Sequence, residues 1–202
     1  MVDPTEGAAA VRWARTAIAR AVQRAELRSA GPGPTSAVFD EPRGVFVTLK
    51  RHRDGALRGC IGFARPVYPL RVAVQQAAVA AALEDPRFPP LTEPELTSTR
   101  IEVSVLTPPV RIASADPEAL VAAVQVGRDG LIAESDGASG LLLPQVAVEQ
   151  GWDPSTFLAE TCVKAGLPAD AWRSGRVRFQ RFGAEVFAER SPGGEVVRHS
   201  VD

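Results

Sequence analysis

The alternation of apolar and polar residues along the chain predicts a mixed set of helices and strands. Over Ala8–Leu27, Val11, Ala14, Ile18, Val22 and Ala25 recur every three or four positions with arginines on the opposite side, the period of an amphipathic helix. GPGPTS at Gly31–Ser36 predicts a loop. Gly44–Lys50 (GVFVTLK) and Ala56–Ala64 (ALRGCIGFA) have strand composition, and the Asp54-Gly55 pair between them predicts a β-hairpin. Pro69–Leu83 carries a long alanine-rich apolar face and reads as a helix suited to close packing on a sheet. The proline-dense stretch that follows, EDPRFPPLTEPEL, predicts no regular structure.

Arg100–Leu106 (RIEVSVL) alternates as a strand. Pro117–Val124 reads as a short helix capped by Asp116. QVGRDGLIAESDGASGLLLPQVA reads as two strands around a DGASG turn. Asp153-Pro154 opens a helix that runs to Ala165 and stops at Gly166. RVRFQRFGAEVFAE predicts one last strand, bent at Gly183, and SPGGEVVRHSVD a mobile tail. Strands mixed with helices and joined by hairpins predict an α+β fold with a largely antiparallel sheet and packed helices.

Composition narrows the classes of function. At 202 residues, 45% hydrophobic and with a formal net charge of -1, the chain suits one large domain or two small ones on a shared core. It lacks the positive field that broad binding to nucleic acid or anionic membrane requires. No apolar run is long enough for a membrane span, and the first residues do not read as a secretory signal. Two distant cysteines then fit a reducing cytoplasm. With 2 Cys and 2 His placed singly, no metal-ligand spacing is present, and no cofactor motif stands out. GRDG at Gly127–Gly130 is a turn and not a phosphate loop. RVRFQRF interleaves arginine with aromatics, as a base-stacking surface would, yet ordinary strand alternation accounts for it equally.

The stretch LRGCIG at Leu57–Gly62 carries the most chemistry. Strict alternation places Leu57, Gly59, Ile61 and Phe63 on one face and Arg58, Cys60 and Gly62 on the other. An arginine on the thiol's side favours thiolate, and glycines mark close backbone approach and free N–H groups. In RIEVSVL, Glu102 and Ser104 point opposite to Ile101, Val103 and Val105. If the two strands are neighbours, one face collects Arg58, Cys60, Glu102 and Ser104. The alternative is a small buried cysteine beside a surface ion pair. His52 lies in the hairpin turn, a poor position for a Cys–His dyad, Cys162 reads as a core residue of its helix, and Lys164 as a partner of that helix's last carbonyls.

LRGCIG, DPRF at Asp85–Phe88, IEVSVL, GRDGL, LLLPQVA at Leu141–Ala147 and TCVKAGL at Thr161–Leu167 occur in this order. Together they resemble the AMMECR family, also called AmmeMemoRadiSam system protein A. The resemblance spans about Ala8 to Glu189. It implies a single α+β domain over residues 8–189, of two unequal, intertwined subdomains, with 1–7 and 190–202 as mobile tails. It implies radical-SAM and Memo-type proteins as partners in a shared pathway. Carried over by motif, the site residues are Arg58, Gly59, Cys60, Gly62, Arg87, Glu102, Ser104 and Gln145. Asp129 stands where many relatives carry His.

Two functions are expected from these residues. In one, an enzyme uses Cys60 as nucleophile, Arg58 to lower its pKa or hold an anion, Glu102 as acid/base, and backbone N–H groups beside Gly59 and Gly62 to stabilise an oxyanion. In the other, a binding or adaptor module holds a small molecule or peptide in the same cleft without reacting.

Overall fold

The computed structural model describes residues 2–23, 33–114 and 116–199. It has two antiparallel sheets with helices, the α+β class expected, and divides into two compact units. The first runs to Leu106 and resumes at Glu185; the second spans Thr107–Ala184.

The first unit begins with α1 (Pro4–Val22), which starts earlier than the apolar period suggests. Asp3 accepts the N–H groups of Thr5 and Glu6, and the Glu6 carboxylate reaches back to the Asp3 N–H, a capping box that closes the first turn. Residues 24–27 of the expected helix, and Gly31 and Pro32 of the expected loop, lie outside the described residues. The hairpin forms as read, β1 (Val45–Arg51) against β2 (Leu57–Phe63), with Gly55 in the left-handed region at φ 72. Then come α2 (Leu70–Leu83), α3 (Glu93–Leu96) and β3 (Thr99–Leu106). α3 sits inside the proline-dense stretch, where no element was expected. Its one proline, Pro94, is tolerated because it falls in the first turn, and Thr92 and Glu95 form a capping box.

The five-stranded sheet has the order β2-β1-β3-β8-β9, where β8 is Ala184–Glu189 and β9 is Val196–His199. Where the sequence predicts a tail, Gly193 at φ 68 and the Gly194 N–H on the Ser191 carbonyl make a tight turn. The chain folds back as β9, and Arg198 pairs with buried Glu185 at 3.1 Å. At the other end, residues 4–7 form the opening turn of α1.

α1 and α2 pack against the sheet through small residues. Ala73, Ala77, Ala78, Ala81 and Ala82 of α2 are buried, and a Cβ on Gly59 would fall inside the Ala81 carbonyl. A Cβ on Gly7 of α1 would likewise fall inside the Phe187 ring. Around these contacts lie Val45, Val47, Leu49, Ile101 and Val103, all fully buried.

The second unit contains β4 (Val110–Arg111), α4 (Pro117–Ala123), β5 (Gly130–Ser135), β6 (Ala138–Leu142), α5 (Pro144–Glu149), α6 (Pro154–Lys164) and β7 (Arg178–Phe182). Its sheet has the order β4-β7-β5-β6. Asp116 and Asp153 cap α4 and α6 as read, and Gly166 follows α6 at φ 77. Asp136 and Gly137 take φ 46 and 85, giving the two-residue turn that matches strand twist. Two readings change. PQVA does not extend β6: Pro144 opens α5, which is too short to show a helical period. The expected bent strand is two strands in different sheets, parted at Gly183, whose N–H donates to Thr107 Oγ1 at 2.7 Å. Phe179 and Phe182 are 1% and 2% exposed on an inner strand, so neither ring is available to stack a base. Cys162 is fully buried beside Leu158 and Phe157, as expected of a core residue.

Candidate functional site

The register of β1 decides which side chains meet. Leu49 pairs with Gly59, but Lys50 pairs with Leu57, so Arg58 is an extra residue with no partner across the ladder. This β-bulge breaks the alternation on which the sequence reading rests. Arg58 does not share the face of Cys60. It is 7% exposed, and its guanidinium lies along Glu95 of α3, with Nε and Nη2 donating at 3.2 and 3.3 Å. The Phe88 ring lies 5.8 Å from it. The pairing holds the Glu95 carboxyl below its ordinary value, chiefly through the Arg58 hydrogen bonds.

From Gly59 onward alternation resumes. Gly59 faces α2, and Cys60 faces away from α1 and α2. On this far face the ladder lines up two rows. Cys60, Thr48 and Glu102 lie opposite one another on β2, β1 and β3; Gly62, Phe46 and Ser104 form the next row. β2 and β3 are thus not neighbours, since β1 lies between them. At the usual spacing of adjacent strands, the Cys60 and Glu102 backbones are roughly 10 Å apart.

Each member of these rows has a definite setting. Cys60 is half-buried, and the Thr48 hydroxyl donates to its Sγ at 3.3 Å. Glu102 accepts from Lys50 Nζ at 3.0 Å. Ser104 is 1% exposed. A Cβ on Gly62 would meet the Phe46 backbone and ring, so Gly62 lets the aromatic side chain lie across β2.

β2 is an edge strand, so Cys60 directs its own N–H and carbonyl outward. The loop after α2 receives both. The Cys60 N–H donates to Asp85 Oδ2 at 2.8 Å, and Arg87 Nη2 donates to the Cys60 carbonyl at 3.2 Å. Arg87 also grips Asp85 through Nε at 2.9 Å and Nη2 at 2.7 Å. Asp85 is 4% exposed. The Arg87 guanidinium, followed by the Cys60 and Arg87 N–H groups, holds its carboxyl far below the ordinary carboxylate range; Asp85 in turn raises Arg87. Asp85 and Arg87 thus stand where another strand would pair, and they fix the peptide that carries the thiol.

Of the expected oxyanion donors, the Gly59 N–H points to β1 in the ladder and the Cys60 N–H is spent on Asp85. His52 sits in the hairpin turn, its N–H on the Ser98 carbonyl. Gln145 belongs to α5 of the second unit, with its Oε1 buried and without a partner among the described residues. Asp129, in the same unit, accepts from Gln125 N–H and from Arg128. Among the described residues no three of His, Cys, Asp and Glu converge as metal ligands, and no helix is long and apolar enough to cross a membrane.

Sequence reasoning missed Thr48, Lys50 and Asp85. Alternation in GVFVTLK places Thr48 and Lys50 on one face, a signal that was present. Asp85 had none beyond its place in DPRF, because its role comes from a loop returning to a strand edge.

The AMMECR1 family model matches residues 11–187. A protein of Thermofilum pendens is 47% identical over 205 residues, covering 98% of this chain and 96% of its own length. One from Thermococcus gammatolerans is 51% identical over 191 residues, with coverage of 93% and 92%. The crystal structure of an uncharacterised protein from Pyrococcus horikoshii superposes with a TM-score of 0.87 at 46% identity, covering 98% of both chains.

Proposed function

The chain belongs to the AMMECR1 family, and on that premise we propose that it is an enzyme, or an enzyme component, whose Cys60 thiol attacks a small substrate or modification target. The substrate lies along the far face of the first unit's sheet, with radical-SAM and Memo-type proteins as pathway partners. One observation carries the reading: Cys60 is only partly buried while the groups around it are held. Its peptide is clamped by Asp85 and Arg87, and its sulfur accepts from Thr48. A nucleophile gains from such immobilisation because the geometry of attack is set before substrate arrives. Arg87 Nη2 donates to the Cys60 carbonyl at 3.2 Å, which sets a guanidinium beside the residue that carries the thiol. Glu102, two strands away and paired with Lys50, acts on the reacting centre only through a substrate that spans Thr48.

A second reading has its own support. Among the described residues no carboxylate or imidazole is hydrogen-bonded to the Cys60 sulfur, and Arg58 is committed to Glu95. A site so built also suits a non-catalytic module that binds a ligand beside an unreactive thiol. Intact-mass analysis separates the two, using protein purified from its native host without thiol reagents. The enzyme reading expects a substrate-derived mass on the Cys60 peptide that is lost in Cys60→Ser. An unmodified thiol, with the same non-covalent ligand retained by Cys60→Ser, favours the binding module.

A further inference from the structure

The second unit gathers arginines at one end of its sheet. Of the six between Thr107 and Ala184, Arg128 and Arg181 share the carboxylate of Asp129. The other four, Arg111, Arg173, Arg176 and Arg178, are exposed and have no ion-pair partner among the described residues. They belong to β4, to β7 and to the 3-10 turn and bend that lead into β7. Across the ladder Arg111 pairs with Gln180, so it shares a face with Arg178. Glu134 of β5, opposite Arg178, accepts from Gln180 Nε2 at 3.3 Å. Like charges gathered without counter-charges repel one another, and a bound anion removes that cost.

Arg111 and Arg178 line a cavity of about 430 Å³ whose lining contains no carboxylate. It lies where β4 leaves β7. Ile112 makes the last bond of that ladder, its N–H on the Phe179 carbonyl at 2.9 Å, and beyond it the Val177 N–H and carbonyl have no partner among the described residues. The side chains of Ile112, Val177 and Phe179 are buried in the core, so these residues, like Gly175, meet the cavity chiefly through main chain. The cleft is a slot of backbone with an exposed arginine on either strand.

We propose that this cleft docks an extended acidic segment of a partner protein, laid along the free edge of β7 with its carboxylates on Arg111 and Arg178. The register sets these two residues on a cross-strand diagonal, roughly 7–8 Å apart. Carboxylates at alternate positions of an extended chain repeat at roughly 7 Å, and a guanidinium fork suits each. The open edge supplies main-chain groups for the backbone of the segment. The neighbouring rings disfavour single-stranded nucleic acid. Phe179 and Phe182 are buried, and Arg173 covers Trp172 at 4.5 Å, so no aromatic face is open to stack a base. The site lies wholly within the second unit and stands independently of Cys60.

The test is fluorescence anisotropy of a labelled octapeptide of alternating glutamate and valine, titrated with the full chain at low ionic strength. Saturable binding is expected, about tenfold weaker in the double variant Arg111→Gln, Arg178→Gln and unchanged in Cys60→Ser. An isomer with its glutamates in adjacent pairs, Glu-Glu-Val-Val repeated, is expected to bind several-fold more weakly. If the double variant does not fold, Arg176→Gln, altered at an exposed residue outside β7, is expected to weaken binding several-fold. No saturable binding by the unaltered protein, equal affinity in the folded variant, or equal binding of the paired isomer would overturn the assignment. Tighter binding of an oligouridylate of matched charge would overturn it as well.

Discussion

The Asp85 carboxylate accepts the backbone N–H of Cys60 at 2.8 Å across 25 residues of chain. A side chain therefore takes the place that a neighbouring strand would fill, at the residue that carries the thiol. Because Arg87 occupies the adjacent carbonyl, the edge of β2 is closed at Cys60 by two residues of one loop.

Asp85→Asn should destabilise the fold by about 1–3 kcal/mol at pH 7, the cost of weakening charge-assisted hydrogen bonds at a buried group. The sign of the pH dependence follows from the depressed carboxyl. Its folded value lies below the ordinary 3.8, so its contribution is fully present above about pH 3.8 and fades as pH falls below it. Urea unfolding of both proteins should show a difference that is constant near neutrality and shrinks under acid conditions.

Arg58→Met should cost stability by at most about 1 kcal/mol, because the Glu95 carboxylate it leaves is 44% exposed and stays hydrated. Because the bulge turns Arg58 away from the sulfur, the alkylation rate of Cys60 in the folded variant should match that of the parent. A marked slowing would mean that Arg58 acts on the thiol after all.

Gly59→Ala should destabilise by roughly 1–3 kcal/mol or more, since the new methyl would fall inside the Ala81 carbonyl and neither backbone can yield cheaply. Gly62→Ala meets the Phe46 backbone and should behave similarly. Thermal unfolding of the two variants measures this, and an unshifted midpoint would contradict the packing described.

Cys162 should be silent in the folded protein. It is fully buried, and burial pushes its thiol up to about 11. Titration with a chromogenic disulfide should find one reactive thiol in native protein and two after denaturation.

Much of the fold is written locally. Asp116, Asp153 and Gly166 mark their helix ends, and Asp54-Gly55 marks a hairpin, because each signal acts within a few residues. The composition of the far face was partly legible as well: alternation places Cys60 opposite the helix-packed Gly59, and Glu102 and Ser104 opposite Ile101 and Val103. What failed was parity at Arg58, since a bulge is a relation between two strands and leaves no mark in either alone. β9 was hidden for a similar reason, its hairpin turn SPGG reading as a frayed end. The clasp of Asp85 and Arg87 depends on where a loop lands after α2.

The most direct measurement is the pH-dependent rate of iodoacetamide alkylation in native protein, read by intact mass, with Cys162 as the internal unreactive thiol. A single adduct on Cys60, formed at neutral pH faster than on a free model thiol, is the predicted result. Alkylation of Cys60 no faster than the model thiol, or only on unfolding, would contradict its role as a nucleophile.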